Sequence, residues 1–217
     1  VGIGVLSFIA SNWQVIGKPF KFSIILIAFT AFYYIGNILE ESYPKTARSL
    51  IYISVLIYGA GIFLVGQMFN YGGDFTSASL LWTVGILPMV YILRDKIIFT
   101  FVHILTLVYL NGYIRFNKIP ILVIILIVLF YYLNKYFDYS KMITFFTNIV
   151  TVNFIAYVCF RYELEGVYIL SILFIVGLLM YYLPIKINRD IFRIVGSIVL
   201  GLSGLMLTFR NIWNDLS

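Results

Sequence analysis

Long apolar runs separated by short polar stretches make up the sequence from end to end. Residues inside a run do not alternate between apolar and polar, so the runs do not resemble the strands of a membrane barrel. Runs of this length predict helices that cross a bilayer, because a helix rises about 1.5 Å per residue across about 30 Å of hydrocarbon. The predicted spans are residues 1–12, 22–39, 50–69, 79–93, 97–113, 119–137, 142–160, 166–183 and 191–209.

This pattern predicts an all-α fold, a polytopic transmembrane helical bundle of about nine spans that forms a single integral membrane domain over residues 1–217. The first apolar run, residues 1–10, has about half the length that a span needs. We therefore expect the chain to begin inside a truncated first span, with a soluble amino-terminal region missing before it. Pro88 lies inside the fourth span and predicts a bend there.

Composition supports the membrane assignment. The chain is 62% hydrophobic and 11% charged, whereas soluble domains are about half apolar and a quarter charged. Because a soluble domain needs more charge to cover its surface, lipid is the predicted solvent and the bilayer the first partner. The 15 Lys and Arg residues are spread among the loops, which favours contacts with headgroups and excludes a nucleic-acid surface.

Polar side chains inside or beside the spans are the candidate functional positions. In hydrocarbon such a group either bonds a neighbouring helix or lines a wet cavity. The turn after the third span offers an amide pair and a carboxylate, the fifth span offers the one histidine, and the seventh span carries polar residues on one face at helical spacing. The binding candidates are Gln67, Asn70, Asp74, His103, Thr144, Asn148 and Thr151.

Each candidate also has a structural explanation. Gly72 and Gly73 can end the third helix, and Asp74 can cap the fourth. His103 can be a neutral imidazole bonded to a neighbouring helix or a group that carries protons inside the bilayer. The polar face of the seventh span can bond neighbouring helices or line a polar path through the bundle. Ser197 and Gly201, with Gly204 nearby, predict close helix approach in the ninth span.

Catalysis has little support in the sequence. We find no HExxH, GxSxG or P-loop motif, and no group of side chains suited to a metal. All nine acidic residues lie in loops or at helix ends, so no carboxylate pair is placed for acid–base work. The prediction is a protein without enzymatic activity, cofactor or metal; the alternative is a membrane-embedded enzyme that binds its substrate through Asp74.

Two function classes remain open. One is a non-catalytic membrane anchor, accessory or sensory module, with a protein partner or a second copy as its target. The alternative is a small-solute transporter or channel-like conduit, with a polar path near Gln67, His103 and residues 144–151. Polar faces that meet at a cavity favour the conduit, whereas individually bonded polar groups favour the module.

The first hundred residues resemble an uncharacterised family of predicted bacterial membrane proteins. The resemblance depends on GIGVLSFIASNW at residues 2–13, on YGAGIFLVGQ at residues 58–67 and on GGDF followed by LLW at residues 72–82. It implies a location in a bacterial cytoplasmic (inner) membrane, and it does not indicate an activity. The structural motif residues are Asn12, Trp13, Gly72, Gly73 and Trp82.

Orientation follows from the basic residues of alternate loops. Loops on the amino-terminal side hold nine Lys and Arg residues, and loops on the opposite side hold six. Since cytoplasmic loops carry the excess of positive charge, the amino terminus is predicted to be cytoplasmic. The turn that contains Asp74 has no basic residue and is predicted to face away from the cytoplasm.

Overall fold

The computed structural model describes residues 16–68, 75–113, 119–183 and 186–209. Over these ranges the chain forms eight α-helices and one short 3-10 helix, Asn134–Phe137, and no strand. The α-helices are α1 (Lys18–Ile38), α2 (Pro44–Met68), α3 (Phe75–Leu93), α4 (Lys96–Gly112), α5 (Ile121–Leu133), α6 (Lys141–Arg161), α7 (Gly166–Tyr182) and α8 (Arg189–Leu207).

The all-α prediction is confirmed over the described residues, where each predicted span from the second to the ninth corresponds to one helix. The first predicted span, residues 1–12, lies outside them. Five helices, α1, α2, α3, α6 and α8, are long and apolar enough to cross a membrane. Nine full spans are therefore not confirmed.

The three remaining apolar helices are shorter than the five candidate membrane spans. Helices α4 and α7 have 17 residues each, which corresponds to a rise of about 26 Å. Helix α5 has 13 residues before the chain tightens into the 3-10 helix. The predicted span 119–137 exceeds α5 because it also includes Ile119 and Pro120 before the helix and the 3-10 helix after it.

The connection between α3 and α4 shows how polar residues set helix boundaries. Arg94 has a left-handed φ of 48°, and the Asp95 carboxylate accepts hydrogen bonds from the backbone N–H groups of Ile97 at 2.7 Å and Ile98 at 3.1 Å. This side-chain cap satisfies donors that the first turn of a helix leaves free. The tight turn predicted at residues 94–96 is present. Helix α3 itself continues through Pro88.

The chain divides into two compact units, Val1–Trp82 and Thr83–Ser217, and α3 begins in the first and ends in the second. The prediction of a single membrane domain stays a prediction. In the first unit α1 and α2 pack closely, because Gly36 leaves room for the Ala47 carbonyl oxygen, which a Cβ there would approach to 3.0 Å.

In the second unit α4 is the most enclosed helix, and its inward side chains include Phe99, Val102 and Leu110, each 0% exposed. Helix α6 packs across α4, and α5, α7 and α8 also contact α6. A polar side chain that points into this core must find its partner on one of these neighbouring helices.

Helices α7 and α8 approach each other through two glycines. A Cβ added at Gly177 would lie 2.9 Å from the Leu200 backbone nitrogen, and one added at Gly196 would lie 2.8 Å from the Gly177 carbonyl oxygen. The predicted close approach in the ninth span is present, and a Cβ added at Gly204 would lie 3.3 Å from the Phe174 ring on α7, but Ser197 and Gly201 do not mediate it. Ser197 is exposed and nothing lies within 4 Å of a Cβ at Gly201, because both residues lie on the face of α8 that points away from α7.

We predict that Gly196→Ala destabilises the protein by about 1–3 kcal/mol, since the methyl group meets backbone that cannot move aside. The matched control is Gly201→Ala, which adds the same methyl group in open space and should leave stability unchanged or raise it by about 0.5–1 kcal/mol. Thermal unfolding followed by circular dichroism in one detergent measures both. Equal changes in the two variants would contradict the close packing of α7 on α8.

Candidate functional site

His103 lies at the centre of the polar network in the second unit. Helix α4 places it in the core with 0% exposure. Its Nδ1 atom lies 2.7 Å from the Phe99 carbonyl oxygen, and its Nε2 atom lies 2.9 Å from the Thr147 hydroxyl oxygen on α6. Because a carbonyl oxygen only accepts, Nδ1 carries the proton and donates it to Phe99.

The hydrogen bond between His103 and Thr147 also has a direction that the geometry determines. In a neutral imidazole protonated at Nδ1, Nε2 is an acceptor, so the Thr147 hydroxyl must donate. The same hydroxyl also lies 2.8 Å from the Ile143 carbonyl oxygen. That carbonyl already has the backbone N–H of Thr147 as its helical partner. Rotation of the hydroxyl toward His103 therefore leaves no group unsatisfied, and a neutral histidine fits the geometry.

The surroundings of His103 also favour the neutral form. Its ring centroid lies 4.3 Å from that of Phe130, 4.8 Å from that of Phe99 and 6.4 Å from that of Phe146. Among the buried residues that the structure describes, none is Asp, Glu, Lys or Arg. An imidazolium there would lack a counter-charge, which makes a buried cation costly.

The polar face of α6 is directed into the protein. Thr144 is 3% exposed, and Thr147 and Asn148 are 0% exposed. Thr147 bonds His103 on α4, as described above, and the Asn148 Oδ1 atom accepts a hydrogen bond of 2.6 Å from the Tyr131 hydroxyl on α5. Thr151 is half-buried and its hydroxyl donates to the Thr147 carbonyl oxygen at 2.8 Å.

Thr144 joins three segments of the chain. Its hydroxyl oxygen accepts a bond of 2.8 Å from the Asn134 amide in the 3-10 helix and one of 2.7 Å from the Asn188 amide just before α8. It also donates to the Ser140 carbonyl oxygen at 3.2 Å. The hydroxyl group is thus fully used, with two bonds accepted and one donated.

Sequence reasoning missed Asn134 and Asn188, because both lie where an apolar run ends and resemble ordinary loop residues. The available signal was the residue type. Asn tolerates left-handed backbone, and Asn188 has a φ of 53°. Its amide nitrogen also donates to the Tyr139 carbonyl oxygen at 2.7 Å. Asn134 is 4% exposed and its Oδ1 atom has no hydrogen-bond partner.

One groove of about 300 Å³ lies between α6 and α8 in the second unit. Its lining is apolar apart from Asn153, and none of the predicted binding candidates takes part in it. The lining residues are Phe145, Ile149, Val152, Asn153, Ala156, Val195, Ile198 and Val199.

The remaining predicted positions belong to the first unit. Trp82 is described, and its indole N–H donates to the Val55 carbonyl oxygen at 3.1 Å while its ring fills the space that a Cβ at Gly59 would need. Gln67 lies in α2, but its side chain is outside the described part of the chain. The other predicted positions outside it are Asn12, Trp13, Asn70, Gly72, Gly73 and Asp74.

Within the described ranges no group of three or more His, Cys, Asp or Glu residues could hold a metal ion. The one cysteine, Cys159, is free and buried. The polar side chains of the second unit form neutral hydrogen bonds that join neighbouring helices. The predicted absence of catalysis and of a cofactor stays a prediction.

No curated protein and no solved structure matches the chain. The family model described as "Predicted membrane protein (DUF2157)" matches residues 1–99, which confirms the resemblance inferred from the motifs of that region. The chain is a predicted membrane protein of unknown function with several apolar helices. Over residues 1–99 it is similar to the DUF2157 family.

Proposed function

We propose that this chain is a non-catalytic membrane anchor or accessory module whose apolar helices hold it in the bilayer. The observation that carries the proposal is the separate bonding of the polar groups in the second unit. His103 bonds Thr147, Asn148 bonds Tyr131, and Thr144 bonds two asparagine amides. Side chains that bridge helices pairwise stabilise a bundle, although the buried Asn134 Oδ1 and Asn148 Nδ2 atoms have no hydrogen-bond partner.

A conduit for a small solute is the second candidate, because one contact favours it. The polar stripes of α4 and α6 meet where the Nε2 atom of His103 lies 2.9 Å from the Thr147 hydroxyl oxygen. A conduit also needs water at that point, since a solute path is a hydrated or polar channel. The groove between α6 and α8 contains neither residue, and the pairwise bonding of the polar groups favours the anchor.

Chemical modification of His103 tests this choice, because the chain has a single histidine. We predict that diethylpyrocarbonate leaves the imidazole unmodified in the folded protein, purified with a tag that contains no histidine, and modifies it once the protein is unfolded in SDS. The physical reason is that a core residue with 0% exposure offers the reagent no water-filled approach. Mass spectrometry of the peptide that contains residue 103 is the measurement.

The control for this experiment is Lys186→His, which adds a histidine in an exposed loop. That histidine should react in the folded protein and so report that the reagent is active. Modification of His103 at a rate similar to that of the loop histidine would reveal a water path to the core. The anchor proposal would then be wrong and the conduit favoured.

We also propose that the second unit faces the cytoplasm with its basic end. The basic end comprises the end of α3, the beginning of α4, the 3-10 helix after α5 and the beginnings of α6 and α8. Contacts between Tyr91 and Tyr136, between Phe99 and Phe137 and between Lys141 and Asp190 bring these segments together. Cytoplasmic faces carry the excess of Lys and Arg. The described charges at this end are Arg94, Asp95, Lys96, Lys135, Asp138, Lys141, Lys186, Arg189, Asp190 and Arg193; those at the other end are Arg161, Glu163 and Glu165.

Cysteine labelling checks the orientation in a Cys159→Ala background. We predict that a membrane-impermeant maleimide labels Glu165→Cys in intact cells, because that exposed residue lies at the end opposite the basic one. Lys186→Cys, exposed at the basic end, should be labelled only after the cells are permeabilised. The reverse pattern would overturn the proposed orientation, and denatured samples of both variants control for expression.

A further inference from the structure

Positive charge gathers at the beginning of α8. Arg189 and Arg193 lie four residues apart on this helix, and Lys186 precedes it in an exposed position. Residues four apart share a helix face, so two like charges there repel each other. The nearby carboxylate, Asp190, forms an ion pair with Lys141 at the start of α6. Within the described ranges the two arginines and Lys186 have no ion pair of their own.

Arg193 is the less exposed of the two arginines and contacts an aromatic ring. Its guanidinium carbon lies 5.4 Å from the centroid of the Tyr181 ring on α7, a cation–π contact that fixes its direction. The side chain is half-buried, and its Nε atom is buried without a hydrogen-bond partner. Because the Nε atom is enclosed by protein, an acceptor from outside can bond only the Nη groups of this guanidinium.

The position of these cations along α8 indicates which hydrogen-bond acceptors they meet. Helix α8 is a candidate membrane span, and Arg189 is its first residue. Arg193 lies about 6 Å further along the helix axis, where a span passes from headgroups to hydrocarbon. Tyr181 and Tyr182 end α7 at the same level, as amphipathic rings do at a membrane interface. The acceptors at this depth are lipid headgroups.

We propose that Arg189, Arg193 and Lys186 form a binding site for the phosphate of an anionic phospholipid. The guanidinium groups can each donate two parallel hydrogen bonds to phosphate oxygens. An anionic headgroup such as phosphatidylglycerol supplies negative charge without a cation of its own. A choline headgroup would add another positive charge beside two unpaired arginines, so the site selects against it. The proposal does not depend on whether the bundle is an anchor or a conduit.

The test uses the full chain in nanodiscs of phosphatidylcholine alone or with phosphatidylglycerol added. Thermal stability of the wild-type protein should rise when phosphatidylglycerol is present. The double variant Arg189→Gln and Arg193→Gln should lose most of this rise, and its affinity for phosphatidylglycerol, measured by native mass spectrometry, should fall about tenfold or more, equivalent to about 1.4 kcal/mol. Arg189→Gln alone changes an exposed side chain that the fold does not need, and it should lose part of the rise.

The matched control is Arg161→Gln, which removes a cation at the opposite end of α6 and should keep the full response to phosphatidylglycerol. An equal loss in this control would mean that general surface charge causes the effect, and it would overturn the site. Inorganic phosphate added to phosphatidylcholine nanodiscs separates the two sources of the anion. If phosphate alone reproduced the rise, a soluble anion would be the ligand and the lipid assignment would be wrong.

Discussion

A buried polar side chain needs a hydrogen-bond partner, and the packing of the second unit depends on how that requirement is met. His103 takes the Phe99 carbonyl oxygen on its own helix and the Thr147 hydroxyl on α6. This pairing fixes the rotation of α6 relative to α4, because only one face of each helix carries the matching group. The surrounding rings of Phe99 and Phe130 then pack against an oriented imidazole.

Close backbone packing joins α7 to α8. Helices α7 and α8 meet at Gly177 and Gly196, where a single added methyl group would clash with backbone atoms. Since lipid is as apolar as leucine, contact between membrane helices gains little from the hydrophobic effect and depends on such packing and on bonded polar groups. Both devices hold the helices of the second unit together from inside.

The sequence predicts the helices well because apolar runs bounded by charges map directly onto helices. It also predicts the polar face of α6, since the spacing of Thr144, Asn148 and Thr151 follows helical periodicity. It cannot predict which neighbour each residue meets, because periodicity assigns a face and not a partner 44 residues away, as in His103 and Thr147. The wrong assignment of close approach to Gly201 has the same origin, since the contact depends on the complementary Gly177 of another helix.

A double-mutant cycle on His103 and Thr147 tests the central claim, that buried polar groups of the second unit serve as bonds between helices. His103→Phe and Thr147→Val keep the side-chain shapes and remove the partners one at a time and then together. The account predicts a favourable coupling free energy of about 0.6–1.7 kcal/mol in the folded bundle, the range found for such bonds in membranes. A coupling free energy indistinguishable from zero would show that the two side chains do not stabilise each other, and would contradict the account.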